Sequence, residues 1–445
     1  MLRPDAGPVN PGGAAAGGTP AYPELSGSSG THGARRAASH SSTGRAPEVP
    51  LRLLPASRVR LVTSAEHMLY FAAGKSKTSR GTMSIAAQSR SAGNTGRTPR
   101  NRDNPVTSSY SALLKIIRDE GLLKRRRAFY ITTFAFLCAG LIASGTGFFL
   151  IGESWFQLLI AAALGILFTQ IAFITHEASH RQVFESGPAN DRAGRFLANA
   201  VVGISYQWWM NKHNRHHANP NTVGKDPDIE MDTISFQIEQ AETRTGLMAW
   251  LTRRQGWLFF PLLLLEGVNL HATSIRHLFS KNKVKGRYTE ITMVFLRLGV
   301  YLGAVFFFLP VGMAFAFLGV QLGVFGVYMG ASFAPNHKGM PLIPRDSKVD
   351  FLSRQVLTSR NVTGRGMNTF MGGLNYQVEH HLFPSMPRPH LARASEIVKE
   401  HCAKHKIPYT EATLTESYGI VVRYLNRVGL AARDPFDCPV RSQYR

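Results

Sequence analysis

Histidines gather at three places in this 445-residue chain, and long apolar runs separate or flank those places. The first cluster reads His176-Glu177-Ala178-Ser179-His180 and closes an apolar run. The second reads His213-Asn214-Arg215-His216-His217, and the third Gln377-Val378-Glu379-His380-His381. On a helix, residues three and four apart share a face, so each cluster presents its imidazoles together. Seven imidazoles and one carboxamide converging on one locus exceed the needs of a single tetrahedral zinc, and two metal ions are expected. Imidazole suits iron, copper and zinc, whereas magnesium and calcium would call for carboxylates and carbonyls.

The apolar runs set the architecture. Ala128 to Leu150 is 23 residues, about 34 Å as a helix, against a hydrocarbon core of roughly 30 Å. Expected spans are 128–150, 154–175, 291–309 and 311–334. Lys124-Arg125-Arg126-Arg127 marks the start of the first span as cytoplasmic. Phe196 to Met210 is short for a crossing and is expected to be an interfacial or re-entrant helix. The segment Arg253–Phe279 carries Glu266, His271, Arg276 and His277, which make a crossing costly. A crossing there would also put the third cluster on the opposite side from the other two, so one amphipathic surface helix is expected. Arg297, near the cytoplasmic end of the third span, is expected to snorkel. The fold class is therefore an all-α membrane protein: four transmembrane helices in two hairpins, with a cytosolic helical cap holding a di-metal histidine site. Its segments would be a basic low-complexity N-terminus (1–105), an interfacial amphipathic helix (106–127), the membrane domain (128–384) and the cap (385–445). Proline at 384, 387 and 389 ends the third-cluster helix, and helical patterns follow at 390–405 and 415–428.

The order H-x3-H, H-x2-H-H, Q-x2-H-H among apolar runs resembles the membrane fatty acid desaturases over roughly residues 106–420. Gln377 at the head of the third cluster is similar to the front-end (delta-6 or linoleoyl-CoA desaturase-like) branch. The resemblance implies two non-haem irons, dioxygen as co-substrate and electrons from an external carrier. The implied ligands are His176, His180, His213, His216, His217, His380 and His381. His337 stands where the family has a further histidine ligand. Gln377 stands where many members have histidine, and ligation through its oxygen or through a water are both open. The implied reaction inserts a cis double bond into a long-chain acyl group, presented as acyl-CoA or acyl-lipid. Hydroxylation on the same scaffold is the alternative.

Such chemistry suits the residues. An unactivated methylene has no acidic proton, so acid–base groups alone cannot remove its hydrogens. A redox-active metal pair with nitrogen ligands can use dioxygen, and zinc cannot change oxidation state. His176-Glu177-x-x-His180 also matches the zinc-protease pattern, with Glu177 as base. That reading leaves the second and third clusters without a purpose, and the chain contains no Asp-Gly pair to supply the protease's carboxylate ligand. Glu177 then becomes a candidate to hold a ligand's other nitrogen, as do Asp226, Asp228 and Glu230 after the second cluster. Lys212 and Arg215 would face a phosphate-bearing head group or solvent. Trp208 and Trp209 would wall an acyl tunnel or anchor the interface. The remaining histidines, His32, His40, His67, His271, His277, His390, His401 and His405, have no paired cluster and are expected outside the site, the last five on the surface.

Net charge is +23, and the residues before 128 carry 20 Lys and Arg against 7 Asp and Glu. No base-reading motif accompanies this excess, so no nucleic-acid partner is expected. The first hundred residues are too poor in apolar side chains to offset their ordering entropy. They read as a basic targeting segment or as an over-extended start, with Met83 a more natural beginning. Asn10 before Pro-Gly-Gly gives no fused cytochrome b5 motif, and Cys138, Cys402 and Cys438 form no cluster. Cys138 reads as a small buried residue of the first span. Electrons must then come from a separate ferredoxin, rubredoxin or cytochrome b5 with its reductase. Heavy Ala, Gly and Arg use points to a bacterial plasma membrane, with the site on the cytoplasmic side.

Overall fold

The computed structural model describes residues 105–432. The expected N-terminal segment, with His32, His40, His67 and Met83, and the C-terminal Cys438 lie outside the described residues. In chain order the helices are α1 (Pro105–Asp119), α2 (Arg127–Ile151), α3 (Gln157–Ser179), α4 (Gly187–Phe196), α5 (Tyr206–Ala218), α6 (Ile238–Glu242), α7 (Gly246–Arg253), α8 (Gln255–Leu263), α9 (Glu266–Leu278), α10 (Arg287–Phe308), α11 (Val311–His337), α12 (Phe351–Leu357), α13 (Met367–Phe370), α14 (Gln377–Leu382), α15 (Leu391–Lys404) and α16 (Leu414–Gly429). Two three-residue strands, β1 (Asn361–Thr363) and β2 (Glu411–Thr413), pair in parallel.

Among the described residues four single helices, α2, α3, α10 and α11, are long and apolar enough to cross a membrane, and α8 with α9 pass the same test together as a bent pair. The four are apolar all round, as a helix must be when either lipid or protein covers every face. The turn between α2 and α3 uses Gly152 at φ 61°, a left-handed conformation open to glycine. Gln157 donates to Phe148 O at 2.7 Å and Gly152 O at 2.9 Å, satisfying carbonyls at the end of α2. α3 and α11 form the inner pair, whereas α2 and α10 expose side chains such as Phe136, Leu150, Leu296 and Phe307. The inner packing needs glycine: a Cβ at Gly165 would lie 2.8 Å from Gln321 O, inside contact distance.

Both inner helices extend beyond the expected spans. α3 continues to Ser179 and α11 to His337, so His176 and His337 sit in final helical turns. Residues 196–210 are not one helix. A π-helical turn, Leu197–Val202, runs into Gly203 at φ 93°, and α5 starts afresh with Ser205 accepting from Trp208 N. Arg297 does not snorkel. Its Nε donates to Val201 O at 2.9 Å, and its guanidinium lies over the Phe168 and Tyr301 rings. The wide turn leaves a carbonyl needing a donor, and the half-buried arginine supplies it. Residues 253–279 are likewise not one surface helix but α8 and α9, bent by 75° at a short break. α9 comes close to α11 through glycine, because a Cβ at Gly326 would meet Gly267 N at 2.5 Å.

The helical patterns at 390–405 and 415–428, in the segment read as a cap, appear as α15 and α16, the latter opened by a reciprocal Thr413–Glu416 capping box. The amphipathic α1 turns its apolar face into this cap: Leu113 and Ile117 are fully buried with Leu352, Val378, Leu391 and Val398.

Candidate metal centre

Four helix ends bring the histidines together. His176 lies in the last turn of α3, and His180 follows as its cap, where Arg181 at φ 60° ends the helix. α5 carries His213, His216 and His217, α11 ends on His337, and α14 carries Gln377, His380 and His381. In the first set, ligand nitrogens of His176, His180, His213, His217 and His380 all lie within 4.8 Å of one another. His213 Nε2 is 3.0 Å from His176 Nε2 and 2.7 Å from His180 Nε2, and His380 Nε2 is 3.1 Å from His217 Nε2. His216, His337 and His381 form the second set. All eight expected histidines are thus in two adjoining groups.

Hydrogen bonds to the far ring nitrogens fix the tautomers of the second set. A carbonyl oxygen only accepts, so His337 donates through Nδ1 to Thr358 O at 2.9 Å. Gln355 donates its amide to His217 O at 3.0 Å, which turns its oxygen to accept from His381 Nδ1 at 2.9 Å. His216 Nδ1 faces both oxygens of Asp226 at 3.0 Å. In each ring Nε2 is then left as a lone pair aimed at the other two. His381 Nε2 is buried without a hydrogen-bond partner, as is His217 Nδ1. Converging buried lone pairs repel unless a cation lies between them, so this donor set fits a metal ion. Nitrogen-rich, neutral ligation suits iron, copper or zinc.

Gln377 lies beside the second set. Its amide nitrogen is 2.8 Å from His337 Nε2, and its oxygen accepts from Asn336 Nδ2 at 3.2 Å. Burial, and then the neighbouring imidazoles, hold His213, His217, His380 and His381 well below the ordinary histidine range. Burial alone lowers His180 to about 3. Neutral rings are the ligating form. Burial also opposes charge on His216, but the carboxylates of Asp226 and Asp228 outweigh it and raise its pKa.

Several surrounding residues differ from expectation. Glu177 holds no histidine; Arg388 grips it through two hydrogen bonds of 2.8 and 2.6 Å. Glu230 is turned to Gly224 N and Gln237 instead of an imidazole. Lys212 pairs with Asp228 at 3.0 Å. Among the other histidines, His401 is buried, 2.8 Å from Ser109 Oγ, and His271 is half-buried against Gly267 O and Val202 O. Cys138 is half-buried. Gln355, Thr358, Tyr130 and Arg388 were not singled out from the sequence, because they belong to no repeat or spacing that marks them. Trp208 and Trp209 both wall a cavity of about 40 Å³ beside His176, with Thr175, Met329 and Phe333. The Trp209 ring also stacks on His213, with centroids 4.9 Å apart.

Comparison with known proteins agrees with this geometry. The family model described as fatty acid desaturase matches residues 153–413, more than half of the chain. A Delta(8)-fatty-acid desaturase of Arabidopsis thaliana is 29% identical over 347 residues, covering 74% of this chain and 76% of its own. A Delta(6)-fatty-acid desaturase of Caenorhabditis elegans is 26% identical over 344 residues, covering 74% and 76%. A Delta(5) fatty acid desaturase of the same nematode is 28% identical over 326 residues, covering 69% and 71%. These names fit the front-end branch to which Gln377 points. With its three histidine clusters drawn into two adjoining nitrogen sets, the chain belongs to the fatty acid desaturase family.

Proposed function

We propose that this protein is an oxygen-dependent desaturase that inserts a cis double bond into a long-chain fatty acyl group at a centre of two non-haem irons. The observation that carries the reading is the convergence of eight histidines from segments up to 205 residues apart into two sets, one of five and one of three. His176, His180, His213, His217 and His380 would hold one iron. His216, His337 and His381 would hold the other, with Gln377 completing it through its carboxamide, directly or by a water. When bound, the pair supplies an oxidant, formed from dioxygen, strong enough to take hydrogen from an unactivated methylene.

The chain's own residues do the rest. Thr358, Gln355 and Asp226 hold His337, His381 and His216 by their far nitrogens. Trp208, Trp209 and Phe333 present an apolar wall beside His176, where an alkyl chain can lie out of water. The basic run before α2 supports a cytoplasmic site beneath two membrane hairpins, α2–α3 and α10–α11. The acyl group would be carried as acyl-CoA or as membrane lipid. Electrons would come from a separate carrier of the ferredoxin, rubredoxin or cytochrome b5 type and its reductase.

Fatty acid profiling of cells that express the protein, beside cells that express His380→Ala, tests the reading. New unsaturated acyl groups present only with the unsubstituted protein are expected. An unchanged profile across several supplied acyl substrates would overturn desaturation, and hydroxylated products would assign the same centre to hydroxylation.

A further inference from the structure

Between His176 and His180, the two ligands of the first cluster, stands a charged residue that the metal sets do not use. Glu177 is 2% exposed, and its partner Arg388, 4% exposed, comes from a short 3₁₀ turn, Arg388–His390, seven residues beyond His381. The guanidinium meets the carboxylate with Nε at 2.8 Å from Oε1 and a terminal nitrogen at 2.6 Å from Oε2. Tyr130 Oη lies 3.3 Å from Glu177 Oε1 and accepts from Arg388 N at 3.4 Å. Gln182, just after His180, donates to Pro384 O at 2.7 Å. Apart from the contact between Tyr130 and Glu177, these bonds cross between the end of α3 or the start of α2 and the segment that leaves α14.

We propose that Glu177 and Arg388 are positioning residues, a clamp that sets the ligands of the first histidine cluster against those of the third. The inference rests on the metal-site reading above. The first set draws His176 and His180 from α3 and His380 from α14, with ring centroids 4.7 and 4.8 Å apart. α14 is only six residues long, and its hydrogen bonds to Asn361, Tyr409, Gln355 and Asn336 tie it to neighbours other than α3. Proline at 384 and 387 stiffens the path from His381 to Arg388, so an error at Arg388 reaches the imidazoles little diminished. An apolar pair of equal volume would join the segments as firmly as a buried ion pair does. What the planar fork adds is a set distance and angle, which two parallel hydrogen bonds impose and one point charge does not. The same fork occupies the carboxylate, which keeps it from competing with imidazole for metal.

The test uses full-length protein in detergent, loaded with cobalt(II), whose visible d–d bands report ligand geometry. Arg388→Met is expected to release cobalt to EDTA roughly 10- to 100-fold faster, the range for losing a group that orients ligands, with altered bands. Arg388→Lys, which keeps the charge without the fork, is expected to fall between. Arg388→Met leaves Glu177 buried and unpaired and could fail to fold. The double variant Glu177→Gln/Arg388→Met has no orphan charge and decides the matter in that case. The clamp predicts that the double variant regains the melting temperature of the metal-free protein but keeps the altered bands and fast release. Wild-type bands and release rate in the folded double variant would show the pair to be structural only and overturn the proposal. Absence of cobalt uptake by the unsubstituted protein would instead sink the metal-site reading and the clamp with it.

Discussion

His381 and Gln355 meet at 2.9 Å, Nδ1 against Oε1, and the same amide donates to the backbone carbonyl of His217 at 3.0 Å. One side chain on α12 thus orients a ring of the second set and anchors the backbone of a ligand in the first. Replacing it with leucine removes the acceptor that fixes the His381 tautomer and leaves a buried carbonyl unmet. Gln355→Leu is expected to lower metal affinity roughly 10- to 100-fold, read as iron per chain after dialysis against a weak chelator. Wild-type iron content after that dialysis would contradict the tautomer argument.

Metal removal should weaken the whole fold, because the ligands come from four different helix ends. A ligand at about 1,000 times its dissociation constant stabilises the native state by about 4 kcal/mol. Stripped protein is therefore expected to melt several degrees lower in detergent and to recover on adding ferrous iron anaerobically. A melting temperature indifferent to both steps would mean that the histidine sets hold no metal.

Ser205 starts α5, the helix of the second cluster. Its hydroxyl accepts from Trp208 N at 3.2 Å and donates to Glu290 Oε2 at 2.6 Å, and the residue is fully buried. Ser205→Ala removes a helix cap and strips a buried carboxylate of a donor, an expected cost of about 1–2 kcal/mol. Thermal or denaturant unfolding measures it, and Ser205→Thr is expected to recover part of the loss. A change of only a few tenths would show that the break at Gly203 sets the start of α5 without help.

Phe333 walls the small cavity beside His176. Phe333→Ala enlarges that space by most of a phenyl ring, and the partly buried ring is expected to cost less than the roughly 3–5 kcal/mol of a fully buried one. With acyl substrates of several lengths supplied together, the ratio of longer to shorter unsaturated products is expected to rise. A uniform fall in all products, with the ratio unchanged, would place the acyl path elsewhere.

The spans and the three clusters were readable because both are local signals. Apolar length marks α2, α3, α10 and α11, and spacings of three and four mark His176, His180, His213, His216 and His217. Other positions resisted for physical reasons. Residues 196–210 look continuous by hydropathy, but the strain of the π-helical turn is relieved by Arg297, 96 residues away from the carbonyl it meets. His401 reads as a lone surface histidine, although α1 folds over it and brings Ser109 to its ring, 292 residues distant. Glu177 reads as a neighbour of ligands, yet its partner is 211 residues off.

From its order of residues alone, the chain settled which side chains could bind metal, roughly where helices run and that lipid should surround some of them. Helical period and apolar length need only a short window to be expressed. Tertiary structure alone decided how the imidazoles divide into five and three, which ring nitrogen each one offers, and which buried charges answer one another. Those outcomes depend on the approach of segments hundreds of residues apart, where packing geometry, not sequence spacing, selects the partner.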